Sequence, residues 1–140
     1  MKNFIVLLVC FSLLAGCSNL EKAKEIRVLG QMKPDHESHH HLYAFWSVIP
    51  DENWEETETD EELRRQFELY FSFDVPVGKL SVISFLFADS GHFKDYVEVL
   101  DIEEFPTFII LDYEGIVLRT TDVTELLDFI HTLPDTEYDE

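Results

Sequence analysis

Four histidines near residue 40 have the type and spacing that most directly suggest chemistry. They are His36, His39, His40 and His41, and Asp35 and Glu37 stand beside them. Imidazole nitrogens bind Zn²⁺ and Cu²⁺. On an extended strand His39 and His41 share a face while His40 points away, so we take His36, His39 and His41 as candidate metal ligands. The alternative interpretation is that these histidines lie in solvent at the start of a strand, where their imidazoles titrate at mildly acidic pH. We therefore expect no cofactor unless Zn²⁺ or Cu²⁺ binds here.

An acidic segment follows, with eight carboxylates among residues 51–62 and Trp54 between them. Dense carboxylates can bind a divalent cation or dock a basic partner, although the spacing is not that of an EF-hand loop. They equally suit a solvated loop that places negative charge at a helix N-terminus. A further acidic set, Asp101, Glu103 and Glu104, precedes Phe105-Pro106.

The N-terminal residues are typical of an export signal. Lys2 precedes an apolar run from Phe4 to Leu14, which is too short to span a bilayer. The segment Leu14-Ala15-Gly16-Cys17 resembles a bacterial lipobox. The resemblance implies cleavage between Gly16 and Cys17 and lipidation of Cys17. We therefore expect a lipoprotein held at the extracytoplasmic face of the cell membrane by an acyl anchor in the bilayer.

This interpretation divides the chain into four parts. Residues 1–16 are the signal peptide, 17–25 the lipidated cysteine and tether, 26–134 the folded domain, and 135–140 an acidic tail. Removal of the signal also removes Cys10, and lipidation consumes the thiol of Cys17. The mature protein is then left without a thiol for disulfide, redox or thiolate-metal chemistry.

The charge balance excludes one large class of partner. The chain has 29 Asp and Glu against 10 Lys and Arg, a formal net charge of −19. Nucleic-acid backbones are bound through Lys and Arg that displace counterions, so we expect no nucleic-acid partner. By the same reasoning, the acidic body should be repelled by an anionic membrane surface.

Hydrophobic patterning predicts alternating strands and helices. Strands are predicted over 40–49, 80–88, 107–111 and 116–120, with an edge strand over 25–29. Helices are predicted to begin at a capping box formed by Thr59 and Glu62, at Asp89 or Ser90, and at Asp122. The order β-α-β-α-β-β-α predicts an α/β domain with a central mixed sheet and helices on both faces. Its two crossovers join parallel strands, and the turn Asp112–Gly115 makes an antiparallel hairpin.

The element order and two segments of sequence resemble the thioredoxin-like superfamily. One segment is Phe105–Leu111, followed by Glu114-Gly115 and an apolar strand; the other is Phe45-Trp46 at the end of the first central strand. The resemblance covers 42–133 and implies a thioredoxin-like fold. It also implies that Pro106 is cis and faces the position that the redox site occupies in that family.

The chain departs from the family in the residues that carry redox chemistry. The Cys-x-x-Cys positions fall near Pro50 and Asn53, and Ala44 stands where the family has a buried acid. Dithiol exchange needs an attacking and a resolving thiol, so oxidoreductase activity is excluded. Ser90 and His92 lack a nucleophile motif and a third partner, and we expect that the protein is not an enzyme.

In the family, backbone beside the cis proline pairs with extended peptide, and this strand addition requires no sulfur. We therefore predict a peptide groove formed by Trp46, Pro50, Trp54, Phe105 and Pro106. Its acidic rim favours a basic envelope protein or peptide as partner. The expected role is a non-catalytic binding or scaffolding module of the cell envelope. A metal-binding or metal-delivery lipoprotein and a wall-associated structural lipoprotein remain alternatives.

Overall fold

The computed structural model describes residues 19–136, so the predicted signal peptide, the lipobox and Cys17 lie outside the described residues. The helices are α1 (residues 19–32), α2 (Trp54–Thr57), α3 (Glu61–Ser72), α4 (Phe93–Val99) and α5 (Val123–Thr132). The strands are β1 (His41–Trp46), β2 (Val82–Phe87), β3 (Thr107–Leu111) and β4 (Ile116–Thr120). A 3-10 turn, Val77–Lys79, precedes β2.

The four strands form one mixed sheet in the order β2-β1-β3-β4. β1 is parallel to β2, and β3 is antiparallel to both β1 and β4. The α/β class, the mixed sheet and the hairpin are therefore confirmed. The prediction that the second crossover also joins parallel strands is wrong. Helix α4 has seven residues and rises only about 10 Å, so it does not carry the chain back along the sheet. β3 then begins at the end of the sheet where β2 finishes.

The sheet is covered on both faces, as predicted. On one face, Val28 and Met32 of α1 and Phe93, the first residue of α4, pack against Tyr43 and Phe45 of β1. On the other, α5 supplies the buried Leu126 and Ile130, and α3 packs there through partly buried side chains. The five residues of β3 are all buried, which explains why its apolar run shows no alternation.

The residues before the strand β1 form a helix. The edge strand predicted over 25–29 is wrong, and the segment assigned to a tether is helical from residue 19 onward. Val28 is 1% exposed and Met32 0%, and their four-residue spacing places both on one side of a helix. The Lys24 ammonium also pairs with Glu98 of α4 at 2.6 Å and with Asp95 at 3.5 Å. Helix α1 is thereby attached to the body along its length.

Local capping explains two further helix boundaries. Asp122 accepts hydrogen bonds from the backbone N–H groups of Thr124 and Glu125, as predicted. At α3 the prediction that Thr59 is the N-cap is wrong by one residue, because Asp60 accepts from the N–H groups of Glu62 and Leu63. Carboxylates and hydroxyls are both good N-caps, so the capping-box pattern does not choose between neighbouring positions.

Helix α4 differs more from the expectation. Its N-cap position is His92, without a side-chain cap. The Ser90 hydroxyl, a predicted cap, instead donates to the Phe87 carbonyl at 2.7 Å. It closes the turn after β2.

Candidate functional site

The segment that leads from α4 into β3 carries the first predicted site residues. The Phe105–Pro106 peptide bond is cis, as the resemblance implied. The Phe105 ring stacks on Phe93 with centroids 5.8 Å apart. Next to it, the Thr107 hydroxyl donates to the Glu104 carbonyl at 2.6 Å. Within residues 19–136 the backbone N–H and C=O of Phe105, a half-buried residue, have no hydrogen-bond partner.

This segment borders a cleft of about 500 Å³, here called the Pro106 cleft. Its lining residues are Glu62 and Gln66 of α3, Glu103, Glu104, Phe105 and Pro106 of the loop, and Thr121 after β4. A second cleft of about 540 Å³ shares Glu103, Glu104 and Thr121 and adds Asp101, Thr107, Arg119 and Thr120. The two form one continuous depression along the edge of the loop.

Carboxylates dominate the charge of this depression. Glu62, Glu103 and Glu104 line the Pro106 cleft. The one cation in its extension, Arg119, donates to the backbone carbonyl of Leu100 at 2.6 Å and to that of Asp101. Its guanidinium thus supports the turn at Asp101, whose φ is 50°. In this left-handed conformation a non-glycine residue is uncommon.

Gln66 is the site residue that the sequence reasoning missed. It is a buried polar residue of α3, and its side-chain carbonyl accepts a hydrogen bond from the Ser47 hydroxyl at 2.8 Å. This bond joins α3 to the chain just after β1. The sequence does contain a signal for Gln66, because it stands next to the inward-facing Phe67 in a predicted helix. A polar side chain in that position is expected to be buried and to have a hydrogen-bond partner.

Trp46 does not belong to the cleft, and its prediction as a peptide contact is wrong. It is 1% exposed. Its ring packs edge-on against Tyr70, Phe73 and Phe108, with centroids 5.2–6.1 Å apart. The end of an apolar strand in the middle of a sheet is a core position, so the side chain fills the α3–α5 core instead of facing solvent.

Trp54 lies at a different place from the Pro106 cleft. It begins the short helix α2, and its ring contacts Phe67 and stacks on Phe71, with centroids 5.9 and 6.3 Å away. The Arg64 guanidinium lies 5.3 Å from the ring centroid in a cation–π contact. Trp54 lines a separate cleft of about 540 Å³ with side chains of α3. The half-buried Pro50 lines neither of these two clefts, so the single predicted groove is not formed.

The acidic segment 51–62 is explained largely by local structure. Asp51 and Glu58 accept backbone N–H groups in the turns on either side of α2, and Asp60 caps α3. The Arg64 guanidinium donates to the backbone carbonyls of Glu55 and Glu58 at 3.0 and 2.8 Å. These contacts support the interpretation as a solvated loop with caps.

One member of the His cluster, His41, attaches α1 to the sheet. His41 Nδ1 donates to the Met32 carbonyl at 2.9 Å, and the Tyr43 hydroxyl donates to the same oxygen at 3.0 Å. Burial raises the pKa of Tyr43 to about 12. The rings of His36 and His39 contact each other at a tilt of 37°, with centroids 4.9 Å apart. His36 and His39 are neighbours, but the three predicted ligands His36, His39 and His41 do not form one site: within residues 19–136, no group of three or more His, Cys, Asp or Glu side chains is placed to hold a metal ion.

His40 is the exception in this cluster, because its Nδ1 is buried without a partner in the part of the chain that the structure describes. Burial lowers its pKa, since an imidazolium loses hydration there, and the charges of His39 and His41 act in the same direction. The nearby Asp112 opposes this shift.

Comparisons with known proteins leave the family open. No family model matches the chain, and no curated protein matches it. A solved structure titled "Crystal structure of a designed protein" is similar, with 17% identity, a TM-score of 0.37, and coverage of 83% of this chain and 90% of that one. At this identity and TM-score, the similarity supports no conclusion about function. No helix among residues 19–136 is long and apolar enough to cross a membrane.

Proposed function

We propose that this protein is a lipid-anchored module of the cell envelope that binds extended basic segments of other proteins in the Pro106 cleft. The observation that carries the proposal is the unpaired backbone of Phe105 at the border of a cleft lined by Glu62, Glu103 and Glu104. An extended peptide could pair with this backbone, and basic side chains on alternate residues would face the carboxylates.

A thioredoxin-like fold is part of the proposal. It is supported by the sheet order β2-β1-β3-β4 with helices on both faces and by the sequence resemblance around Phe105-Pro106. The fold would place the cleft where redox members hold substrate polypeptides. Pro50 and Asn53 occupy the positions of the sulfur residues here, so binding without dithiol exchange is the function left to that surface.

The anchor is the second part of the proposal. It rests on the lipobox-like segment Leu14–Cys17 and on the apolar run before it. An acyl chain on Cys17 would hold the body at the extracytoplasmic face of the membrane. No contact in the described residues favours the metal-delivery or structural alternatives, which remain predictions.

A direct test uses fluorescein-labelled peptides of about ten residues, long enough for strand addition. One alternates Lys with Val and its partner alternates Glu with Val. Fluorescence anisotropy with the mature protein in detergent should detect the Lys peptide, with an affinity that falls as salt rises. The Glu peptide should not bind.

The matched variants reverse two charges inside and outside the cleft. Glu103→Lys with Glu104→Lys should abolish binding, whereas Glu114→Lys with Asp128→Lys, both on exposed residues, should leave most of it. Equal losses in the two variants would show that net charge alone attracts the peptide, and the cleft would then be rejected as the site.

A further inference from the structure

Charge is distributed unevenly along this acidic chain. Residues 19–33 contain four of its ten basic residues, Lys22, Lys24, Arg27 and Lys33, against two acids, Glu21 and Glu25. This segment, which is essentially α1, is therefore net positive in a protein whose formal net charge is −19. The whole-chain charge that argues against a membrane-bound surface does not describe this helix.

The two sides of α1 differ in chemistry. Glu21, Glu25, Val28 and Met32 follow helical spacing along one stripe, of which Val28 and Met32 are buried. With about 3.6 residues per turn, Ile26 and Arg27 lie on the side away from this stripe and Lys22 lies at the edge of that side, and all three are exposed. Lys24 is not part of that side, because its ammonium pairs with Glu98 and Asp95 of α4.

The outward side also carries apolar groups that the body leaves uncovered. Leu20 is 75% exposed and Ile26 72%. Leu20 also borders a shallow depression of about 340 Å³ with Ala23, Lys24 and Arg27, which reaches from the outward side of α1 toward the side that pairs with α4. A helix that presents Leu and Ile between Lys and Arg suits the boundary between lipid headgroups and acyl chains.

We propose that the outward side of α1 lies on the surface of an anionic bilayer. This inference rests on the proposed lipidation of Cys17. The backbone spans at most about 3.6 Å per residue, so Leu20, three residues after Cys17, stays within about 11 Å of the anchored residue. The N-terminal end of the helix must then lie close to the bilayer, and the charge and apolar groups of α1 would decide which of its sides turns toward the lipid.

The electrostatic preference can be expressed as a ratio of populations. Each Lys or Arg near an anionic membrane surface raises the population of the membrane-bound orientation about fivefold. The two exposed cations, Lys22 and Arg27, would then favour the docked orientation about 25-fold. The sheet face covered by α3 and α5, opposite to α1, would be turned away from the lipid, which also keeps most of the acidic body at a distance.

Fluorescence quenching in vesicles tests this orientation with the lipidated protein. Ile26→Cys places one reactive thiol on the outward side of α1, because Cys17 is blocked by lipid and Cys10 is removed. The control is Val77→Cys, since Val77 is similarly exposed, at 70%, and precedes β2 beside the other core. Each variant is labelled with bimane and reconstituted into vesicles of equal parts phosphatidylcholine and phosphatidylglycerol. The acyl chains of these lipids carry bromine, which quenches a bimane label that lies in the bilayer.

The label at residue 26 should be quenched at least about threefold more than the label at residue 77. Replacing the phosphatidylglycerol with phosphatidylcholine, or introducing Lys22→Gln with Arg27→Gln, should remove most of the difference. The control substitution Arg65→Gln, which removes a single exposed cation from α3, should leave it unchanged. Equal quenching at the two labels in the anionic vesicles would overturn the inference.

Intact mass separates this outcome from failure of the proposed function. If Cys17 carries no lipid, the anchoring part of the proposed function fails, and the orientation of α1 fails with it. If Cys17 is lipidated and residue 26 is not quenched, only the orientation fails. The peptide titration at the Pro106 cleft is independent of both.

Discussion

The carbonyl oxygen of Met32 provides a sharp test of how α1 is attached to the body. It belongs to the last residue of α1, where helix carbonyls lack an intrahelical partner. His41 Nδ1 and the Tyr43 hydroxyl both donate to it. Removal of either donor leaves the oxygen one partner, so Tyr43→Phe and His41→Phe should each lower the free energy of unfolding by only about 0.5–1 kcal/mol.

The double variant should cost more than the sum of the single variants. It leaves a buried carbonyl, on a residue that is 0% exposed, without a partner, which adds about 1–3 kcal/mol. Urea unfolding of the four proteins at pH 7.5, followed by circular dichroism, measures this coupling. Additive losses would refute the shared-acceptor argument.

Alkaline pH gives a separate readout on the burial of the Tyr43 hydroxyl. Because the pKa of Tyr43 is raised to about 12, its protonated form stabilises the fold below the unfolded-state pKa of 10.0. This stabilisation is lost as pH rises from 10 to 12. The stability difference between wild type and Tyr43→Phe should shrink over that interval, and a constant difference would contradict the assignment.

Three further predictions concern the fold. Asp122→Ala removes the N-cap of α5 and should cost about 1 kcal/mol, whereas Asp128→Ala, on the exposed side of the same helix, should cost less than half of that in the same urea titration. Phe108→Ala empties a fully buried position and should cost about 3–5 kcal/mol; a loss below 1 kcal/mol would contradict its core placement. The pKa of His40 is lowered from 6.5, so its contribution to stability is complete above pH 6.5 and declines as pH falls below it. Stability should therefore fall less in His40→Gln than in wild type between pH 7.5 and 5.5, and parallel curves would exclude the assignment.

The fold could be predicted where one local signal decides the structure. The bounds of β3 and β4 agree with the prediction because a turn at Asp112 separates two apolar runs, and Asp122 marks the start of α5 clearly. The direction of β3 relative to β1 could not be predicted, since it depends on how a seven-residue helix and the following loop return the chain. Residues 19–32 were missed as a helix because their inward stripe contains few apolar residues.

The loop of the candidate site could be predicted from the sequence, whereas the residues that other elements contribute to the cleft could not. Phe105, Pro106 and the neighbouring carboxylates are adjacent in sequence, so the resemblance located them. Gln66 and Thr121 join the cleft through tertiary packing of α3 and the end of β4. Trp46 was misplaced because a tryptophan at a strand end can face either solvent or core. Only the neighbouring aromatic rings of α3 and β3 decide that it is buried.

Site-specific photocrosslinking in living cells tests the occupancy of the Pro106 cleft most directly. p-Benzoylphenylalanine replaces Thr121, an exposed cleft residue, or Val117, a residue of β4 that is 39% exposed and lies outside both clefts. We expect a discrete protein adduct from position 121 that disappears when Glu103→Lys and Glu104→Lys are introduced. Adducts of equal yield at both positions, or an adduct at 121 that survives the charge reversal, would contradict it.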